Sequence, residues 1–226
     1  MNSPSSSPPT PDPITLDPIT LVVATGNPGK LKEMQRYLAT APVRFNLQLK
    51  PPELEVEETG TTFAENAALK ATQVAQATQN WAIADDSGLM VDVLGGAPGV
   101  YSARYGADQG ARTDADRLQL LLRTLEEREA TQGSIDRGAQ FVCAVTVARP
   151  DGSIAFATKG ICRGVLTRSP RGDGGFGYDP IFSLPDRSLT FAEMTPDQKR
   201  QFSHRGQAFE QLIPHLPQIF SARHLD

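Results

Sequence analysis

Two adjacent carboxylates, Asp85 and Asp86, directly follow the apolar residues 81–84 and precede Ser87 and Gly88. The apolar residues are typical of a buried strand, and ligands of α/β sheets bind in the crevice beyond the carboxyl ends of such strands. Paired acids at that position suit Mg²⁺, which prefers carboxylate oxygens and keeps its other positions for water and phosphate. An Asx-type turn, in which Asp86 or Ser87 only caps backbone N–H groups, is the alternative. In either case we expect the strand to end at this acidic turn.

A glycine loop follows the first strand-like stretch, residues 19–25. The loop consists of Gly26, Asn27, Pro28, Gly29 and Lys30. The next residues, 31–38, have helical spacing, and exposed N–H groups at a helix start beside a lysine form an anion site. The loop is not a Walker A motif, because only two residues separate its glycines and Leu31 stands where Ser or Thr would bind Mg²⁺. Taken alone it is a weak signal for phosphate binding.

An acidic stretch and a helix lie between this loop and the carboxylate pair. Residues 53–58 hold four carboxylates, a pattern typical of a solvated loop. Thr62 and Glu65 have the spacing of a capping box and predict a helix that runs to about residue 79. Asn66 and Lys70 share one face of that helix, and such a pair is most often a solvated surface.

The remaining helices and strands are predicted from periodicity and turn residues. Strands are expected near residues 45–49, 139–148 and 153–162, and the last two flank a hairpin turn at Pro150, Asp151 and Gly152. Residues 113–128 have an amphipathic pattern whose leucines predict a scaffold helix. A further helix is expected to begin with Thr195 as N-cap and Pro196 as its first residue.

Length and composition limit the possible functions. The chain has 226 residues, a formal net charge of -4 and a pI of about 5.4, so no overall positive field attracts it to nucleic acid or to an anionic membrane. No apolar run approaches the ~18 residues of a membrane span, and no signal peptide is recognisable, which predicts a cytoplasmic protein. Residues 1–18 are rich in Pro and Ser and predict a disordered tail. Cys143 and Cys162 lack metal-type spacing, so two reduced, packed thiols are expected.

A glycine-rich stretch at residues 171–180 places four glycines around two aromatic side chains. Such a flexible backbone with a protruding Phe176 suggests close approach to a flat ligand, although a mobile loop is the alternative. Together, metal-binding carboxylates and cations for the phosphates and an aromatic face for the base are the groups needed to bind a nucleoside polyphosphate. The candidates are Glu57, Asp86, Lys30, Lys70, Lys199, Arg205 and Phe176.

Seven runs of residues, taken in order, resemble the successive motifs of the inosine/xanthosine triphosphate pyrophosphatase family. They are residues 25–30 (TGNPGK), 57–60 (EETG), 63–67 (FAENA), 85–89 (DDSGL), 95–104 (GGAPGVYSAR), 174–180 (GGFGYDP) and 203–206 (SHRG). Several multi-residue matches in series are far more specific than any one of them. Together they span essentially residues 21–212.

The resemblance implies an α/β fold in which an elongated mixed β-sheet, flanked by helices, divides two lobes with a central nucleotide-binding cleft. Residues 19–226 would form this single two-lobed domain. The resemblance also implies a homodimer and Mg²⁺-dependent hydrolysis of ITP, dITP and XTP to the monophosphate and pyrophosphate. By motif matching, Glu57 would bind the metal, and Asp86 would both bind the metal and accept the proton of the attacking water.

The same matching assigns positions to the rest of the substrate. The positions that bind phosphate fall on Thr25, Gly26, Asn27, Pro28, Gly29, Lys30, Lys70 and Ser87. The positions that hold the base and sugar fall on Phe176, Gly177, Tyr178, Asp179, Lys199, His204 and Arg205.

Two other functions fit the same residues. A pyrophosphatase for modified pyrimidine or standard nucleotides would use the same phosphate apparatus, and base preference would distinguish it. A nucleotide sensor that binds without turnover is disfavoured by Glu57 and Asp86, because a sensor does not need the side of the site that activates water. No Ser or Cys environment suggests a covalent intermediate, so direct attack by water is expected.

Overall fold

The computed structural model describes residues 18–221, which fold around a seven-stranded β-sheet. The strands are β1 (Ile19–Val23), β2 (Phe45–Leu49), β3 (Trp81–Val91), β4 (Gly138–Ala148), β5 (Ile154–Leu166), β6 (Phe182–Leu184) and β7 (Leu189–Thr190). Their order across the sheet is β2-β1-β3-β4-β5-β6-β7. β1 pairs in parallel with β2 and β3, and the pairings from β3 to β7 are antiparallel. The predicted α/β fold with a mixed sheet is confirmed.

Helices cover both faces of this sheet. They are α1 (Pro28–Leu38), α2 (Phe63–Thr78), α3 (Asp114–Gln132), α4 (Pro196–Phe202), α5 (His204–Leu212) and α6 (Leu216–Ser221). Successive side chains of a strand point to opposite faces, so the contacts of two adjacent β4 residues show which helix lies on each face of the sheet. Ala144 of β4 belongs to the hydrophobic cluster of Ala67 in α2, whereas Val145 belongs to that of Phe209 in α5. Therefore α2 and α5 lie on opposite faces of the sheet.

Strand β3 is longer than the sequence indicated. β1 ends at Val23 and pairs only with the start of β3, but β3 stays hydrogen-bonded to β4 as far as Val91. The prediction that the strand ends in an acidic turn was therefore wrong. Asp85 and Asp86 are both strand residues, and the alternation of side chains along a strand directs them to opposite faces.

The predicted helix starts agree well with the structure. The side chain of Thr62 accepts a hydrogen bond from the backbone N–H of Glu65, and the Glu65 carboxylate accepts one from the backbone N–H of Thr62, so the capping box is confirmed. Thr195 and Pro196 begin α4 as expected. Helix α1 begins at Pro28 rather than near residue 31, because Asn27 caps it. The first turn of α1 is thus formed by the glycine loop itself.

The remaining predictions concern the hairpin, the cysteines and the termini. β4 and β5 form the predicted hairpin, with β5 extending to Leu166. Cys143 and Cys162 are buried and free, and they are not direct cross-strand partners, since Cys143 pairs with Gly160. The predicted tail, residues 1–18, lies almost entirely outside the described residues. Within residues 18–221, no helix has both the length and the apolar character needed to cross a bilayer.

Candidate active site

A cleft of about 450 Å³ lies beside the part of β3 that extends beyond β1. Its walls come from the loop after β1, the acidic segment before α2, the middle of β3, and the segments around α3, α4 and α5. Most of the predicted site residues line it: Thr25, Gly26, Asn27, Lys30, Lys70, Asp86, Ser87, Phe176, Gly177, Tyr178, Asp179, Lys199, His204 and Arg205. Pro28, Gly29 and Glu57 do not.

The glycine loop is shaped by Asn27. Its Oδ1 accepts hydrogen bonds from the backbone N–H groups of Gly29 (2.8 Å) and Lys30 (3.2 Å), and its own N–H donates to Thr25 Oγ1 (3.1 Å). Pro28 has no N–H to satisfy. Asn27 thus engages two of the amides that the sequence assigned to phosphate. The attraction of this loop for an anion rests on the Lys30 side chain and on the positive end of the α1 dipole.

Asp85 lies on the α5 side of the sheet and is fully buried. Its Oδ2 lies 3.2 Å from Lys30 Nζ and accepts hydrogen bonds from Arg205 Nη2 at 2.8 Å and Nε at 3.1 Å. Burial acts to raise the pKa of this carboxyl, but Lys30 and Arg205 outweigh it and hold the pKa well below its usual range. Asp85 is therefore a fixed negative charge that anchors two cations beside the cleft.

Asp86 lies on the α2 side, in a different electrostatic environment. Its Oδ1 accepts a hydrogen bond from Lys70 Nζ at 2.9 Å, and its Oδ2 accepts one from Asn66 Nδ2 at 3.4 Å. Burial raises the pKa of Asp86 above its usual range, because Lys70 and Lys30 offset only part of the cost of enclosing the charge. A carboxylate with a raised pKa takes up a proton more readily, as a general base must. The Asn66 and Lys70 face of α2, expected to be solvated, therefore supports Asp86.

Lys70 joins Asp86 to Glu58 and not to Glu57. Its Nζ donates to Glu58 Oε1 at 2.7 Å, and Arg104 Nη1 donates to Glu58 Oε2 at 3.3 Å. Exposed and half-buried residues alternate along this segment, which directs Glu58 inward and Glu57 outward. Motif matching assigned the metal to Glu57, whereas the structure brings Glu58 to the cleft.

The carboxylates of Glu58 and Asp86 converge, since both contact the same ammonium group. Within residues 18–221, no group of three or more His, Cys, Asp or Glu side chains is arranged to hold a metal ion. Two convergent carboxylates still fit Mg²⁺, which is usually bound by one or two carboxylates, with water and substrate phosphate as its other ligands. The geometry thus favours Glu58 with Asp86 as a metal pair, rather than Glu57 with Asp86.

A buried chain of alternating charges continues from Asp85 towards the aromatic loop. Arg205 Nη1 donates to Glu33 Oε2 at 2.6 Å, and Lys199 Nζ donates to Glu33 Oε1 at 2.7 Å and to Asp179 Oδ2 at 2.6 Å. Burial acts to raise the pKa of Glu33, but Arg205 and Lys199 lower it below its usual range. Burial raises the pKa of Asp179, and Lys199 offsets this only in part. Because each charge has an opposite neighbour, the chain is tolerated in the interior.

Arg205 is the central member of this chain and is fully buried. It makes four hydrogen bonds, two to Asp85, one to Glu33 and one to Ser87 Oγ at 2.7 Å. A guanidinium has five N–H groups, so one, on Nη1, is left for a ligand. Arg205 therefore acts mainly by holding other charged groups in place.

His204 precedes Arg205 and is also buried. Its ring stacks on Phe141, with the centroids 4.6 Å apart and the planes 9° from parallel. Burial, reinforced by the charges of Arg205 and Lys199, holds the pKa of His204 well below 6.5, so the ring is neutral at pH 7. Its Nδ1 has no hydrogen-bond partner within the described part of the chain. That nitrogen is itself buried, whereas other atoms of His204 line the cleft wall.

Phe176 supplies the aromatic face of the cleft. Its ring packs so closely on Gly29 that a Cβ at that glycine would lie 2.5 Å from Phe176 Cδ1. Lys199 Nζ lies 4.8 Å from the ring centroid, within the range of a cation–π interaction. Tyr178 is buried, and its hydroxyl donates to the carbonyl of Ser102 at 3.0 Å. Gly29 thus affects the cleft by leaving room for the Phe176 ring. Tyr178 links the loop that carries Phe176 to the segment before α3.

Several residues near the cleft were not predicted from the sequence. Glu33 follows Lys30 by one helical turn, which is a usable signal that both lie on the same side of α1. Asp114 and Arg117 line the cleft from the first turn of α3, a helix predicted only as scaffold. Their polar character gives no hint of this, because exposed first turns are commonly polar.

Comparison with known proteins identifies a matching family and similar relatives. Residues 21–215 match the model of the Ham1 family. The dITP/XTP pyrophosphatase of Synechocystis sp. is 61% identical over 197 residues, which cover 87% of this chain and 95% of that protein. The dITP/XTP pyrophosphatase of Nostoc sp. is 57% identical over 202 residues, which cover 89% of this chain and 96% of that protein.

Solved structures give the same result. A HAM1 protein from Coxiella burnetii is 39% identical, with a TM-score of 0.74 over 88% of this chain and 99% of that chain. The Ham1 protein of Staphylococcus aureus is 37% identical, with a TM-score of 0.73 over 88% of this chain and 98% of that chain. Sequence, fold and motif order all agree, and the chain belongs to the Ham1 family.

Proposed function

We propose that this protein hydrolyses the non-standard purine nucleoside triphosphates ITP, dITP and XTP to the monophosphate and pyrophosphate, and so cleanses the nucleotide pool. The names of the close relatives support this activity, because the chain covers nearly their whole length. The structural observation that carries it is that Asp86, oriented by Lys70 and Asn66, lines one cleft with Lys30 and the aromatic ring of Phe176.

Hydrolysis between the α and β phosphates has three requirements. A water must be aimed at the α-phosphorus, a base must take its proton, and cations must neutralise charge on the leaving pyrophosphate. Asp86 is suited to be the base, because its carboxylate lines the cleft and is oriented by Lys70 and Asn66. Lys30 and Lys70 line the same cleft, and we assign them to the phosphates.

Ser87 is not suited to be a nucleophile. Its hydroxyl donates to Asp85 Oδ2 at 3.2 Å and accepts from Arg205 Nη2 at 2.7 Å. A nucleophilic hydroxyl needs a neighbouring base, but the depressed pKa of Asp85 makes that carboxylate a poor one. This arrangement supports direct attack by water without a covalent intermediate.

Mg²⁺ is the metal that we propose for this reaction. Glu58 and Asp86 would hold it, and bound Mg²⁺ would neutralise phosphate charge and orient the triphosphate. Lys70 contacts both carboxylates, so it keeps them together and limits their mutual repulsion. Arg104, which contacts the other oxygen of Glu58, orients that carboxylate from the rim of the cleft.

The base would lie against Phe176, with its edge towards Lys199 and Asp179. A 6-oxo purine presents an acceptor at O6 and a donor at N1–H, which match the Lys199 ammonium and the Asp179 carboxylate. Adenine presents the reverse pattern, so its 6-amino donor would face the Lys199 ammonium and its N1 acceptor would face the Asp179 carboxylate. The His204 ring and the last N–H of Arg205 are further contacts for a nucleotide, since both residues line the cleft.

A nucleotide panel scored for pyrophosphate rather than phosphate tests the proposal. We expect release from ITP, dITP and XTP, with kcat/KM for ATP lower by roughly 10⁴-fold, the discrimination available to a site that pairs with one base edge. Comparable kcat/KM for ATP and ITP would favour a pyrophosphatase for standard nucleotides. Binding of ITP without pyrophosphate release would favour a nucleotide sensor.

We further propose that the protein acts as a cytoplasmic homodimer. Tyr101 is 59% exposed, and Arg104 lies over its ring at 4.9 Å from the centroid, which supports a contact surface on this segment. Tyr105, by contrast, packs against the hydrophobic cluster beneath α3. Light scattering gives the mass in solution, and a fully active monomer of 24.4 kDa would overturn the need for dimerisation.

A further inference from the structure

We infer that Asp114 is a positioning residue that holds the loop carrying Phe176, a role that rests on the proposed nucleotide hydrolysis. The backbone N–H of Gly177 donates to Asp114 Oδ2 at 2.9 Å. The preceding N–H, that of Phe176, donates to Asp179 Oδ2 at 2.8 Å. Two successive amides at the aromatic residue are therefore held by carboxylates from two different parts of the chain.

The loop needs such fixed points because its backbone is intrinsically flexible. Gly172, Gly175 and Gly177 have φ values of 80°, 73° and 61°, a region that glycine enters freely. Residues 171–175 are all exposed, and their backbone hydrogen bonds, from Arg171 N–H to the Pro180 carbonyl (2.8 Å) and from Gly174 N–H to the Ala192 carbonyl (3.0 Å), stop short of Phe176. Without hydrogen bonds at its tip, the loop would sample many conformations, and ordering it would cost free energy each time a nucleotide bound.

Asp114 is itself held firmly enough to act as an anchor. It is the first residue of α3, directly after the N-cap Thr113, where the helix dipole favours a carboxylate. Its Oδ1 accepts a hydrogen bond from Arg117 Nη2 at 3.0 Å. Arg117 is in turn oriented by its second bond, from Nη1 to the carbonyl of Arg112 at 3.1 Å. The carboxylate that receives the Gly177 amide is therefore fixed on both sides.

The consequence is a link between α3 and recognition of the base. Phe176 must keep its place beside Lys199 and Asp179 for the three groups to define one pocket. Releasing Gly177 would let the ring move while Asp86 and the phosphate-binding cations stay where they are. We therefore expect Asp114 to affect KM and base selectivity, and to leave kcat nearly unchanged.

Hydrogen exchange on the nucleotide-free protein tests the tether directly. In Asp114→Ala, peptides covering residues 172–181 should exchange about threefold to tenfold faster than in the wild type, the change expected for loss of one net hydrogen bond. Asp114→Asn keeps an acceptor oxygen and should exchange like the wild type. Asp108→Ala, which removes an exposed acid just before α3, is the matched control. Unchanged exchange in Asp114→Ala would overturn the inference whatever the protein hydrolyses.

Steady-state kinetics with ITP and ATP test the expected effect of Asp114 on KM and base selectivity. Asp114→Ala should raise KM for ITP by about threefold to tenfold, keep kcat within about twofold, and lower the ratio of kcat/KM for ITP to that for ATP. Asp114→Asn should restore both values. A loss of kcat with unchanged KM and selectivity would overturn the positioning role. If the wild type released no pyrophosphate from any nucleotide, the proposed function would fail, whereas hydrogen exchange would still decide whether the tether exists.

Discussion

Asp85 and Asp86 are consecutive residues of β3, yet they lie on opposite faces of the sheet and their pKa values are displaced in opposite directions. Asp85 has Lys30 and Arg205 against one oxygen, whereas Asp86 shares Lys70 with a second carboxylate. Adjacent titratable groups whose environments separate their pKa values take different roles in a site. Here one acid is a buried counter-ion, and the other is the acid that we propose as the general base.

This difference predicts opposite effects on stability. Asp85→Asn should lower the free energy of unfolding by about 3–5 kcal/mol, because Arg205 is left buried without its main counter-charge. Asp86→Asn should change that free energy little, since the neutral amide avoids the cost of burying a charge. Denaturant unfolding at pH 7 measures both. Similar losses in the two variants would contradict the separate roles.

The contribution of Asp85 should also depend on pH in a defined direction. Its pKa is lower in the folded than in the unfolded state, so its stabilisation is complete above the unfolded value of about 3.9 and is lost as the pH falls towards the folded value. The gap in unfolding free energy between wild type and Asp85→Asn should therefore be constant from pH 7 to about 5 and shrink below about 4. A gap that widened on acidification would be inconsistent with a depressed pKa.

For Asp86 the sign is reversed. Its folded pKa is raised, so the favourable contribution is present below the unfolded value and is lost as the pH rises through the folded value. The wild type should therefore lose stability relative to Asp86→Asn over that rise. The same pH series of unfolding curves provides the measurement, and parallel curves for the two proteins would argue against a raised pKa.

The adjacent acids Glu57 and Glu58 form a matched pair for testing metal binding. Glu58→Gln removes a carboxylate that contacts Lys70 inside the cleft, so the Mg²⁺ concentration needed for half-maximal activity should rise about tenfold or more. Glu57→Gln changes an exposed side chain and should behave like the wild type. Mg²⁺ titrations of ITP hydrolysis distinguish them. If only Glu57→Gln raised the Mg²⁺ requirement, the sequence-based choice of Glu57 would be right.

Glu33 should matter although it touches neither phosphate nor metal in this account. Glu33→Gln leaves Lys199 and Arg205 without the carboxylate between them, so KM for ITP should rise by about tenfold and the melting temperature should fall. Lys32→Gln, which alters the exposed neighbouring side chain, is the control. A normal KM in Glu33→Gln would show that Lys199 and Arg205 are positioned without it.

Local signals in the sequence were sufficient for most elements of the fold. The capping boxes at Thr62 and Thr195 fixed helix starts, because they satisfy backbone donors within a few residues. The end of β3 was misjudged for a non-local reason. Polar residues that look like a turn remain in the strand because β4 supplies their backbone partners. A sequence read along one strand does not reveal that neighbour.

The site was predictable to the level of its motifs but not of its contacts. Family resemblance located Asp86, Lys199 and Arg205 at one cleft, and the structure brings them there. It could not show that most hydrogen bonds of Arg205 go to Asp85 and Glu33, because both residues are far from Arg205 in the sequence. It chose Glu57, whereas the structure places Glu58 at the cleft, since a shift of one residue reverses which side chain faces inward.

The most direct test of the account is kcat of Asp86→Asn with saturating Mg²⁺ and ITP, measured beside ITP binding and with Asp85→Asn as the internal control. Loss of the general base alone should lower kcat by ~10²–10⁴-fold, and weakened metal binding should add to it. Binding of ITP should fall much less, because Lys30, Lys199 and Phe176 remain. Asp85→Asn, assayed at a temperature where it is folded, should lose less kcat. Near wild-type kcat in Asp86→Asn together with an inactive, folded Asp85→Asn would contradict the assignment of Asp86 as the base.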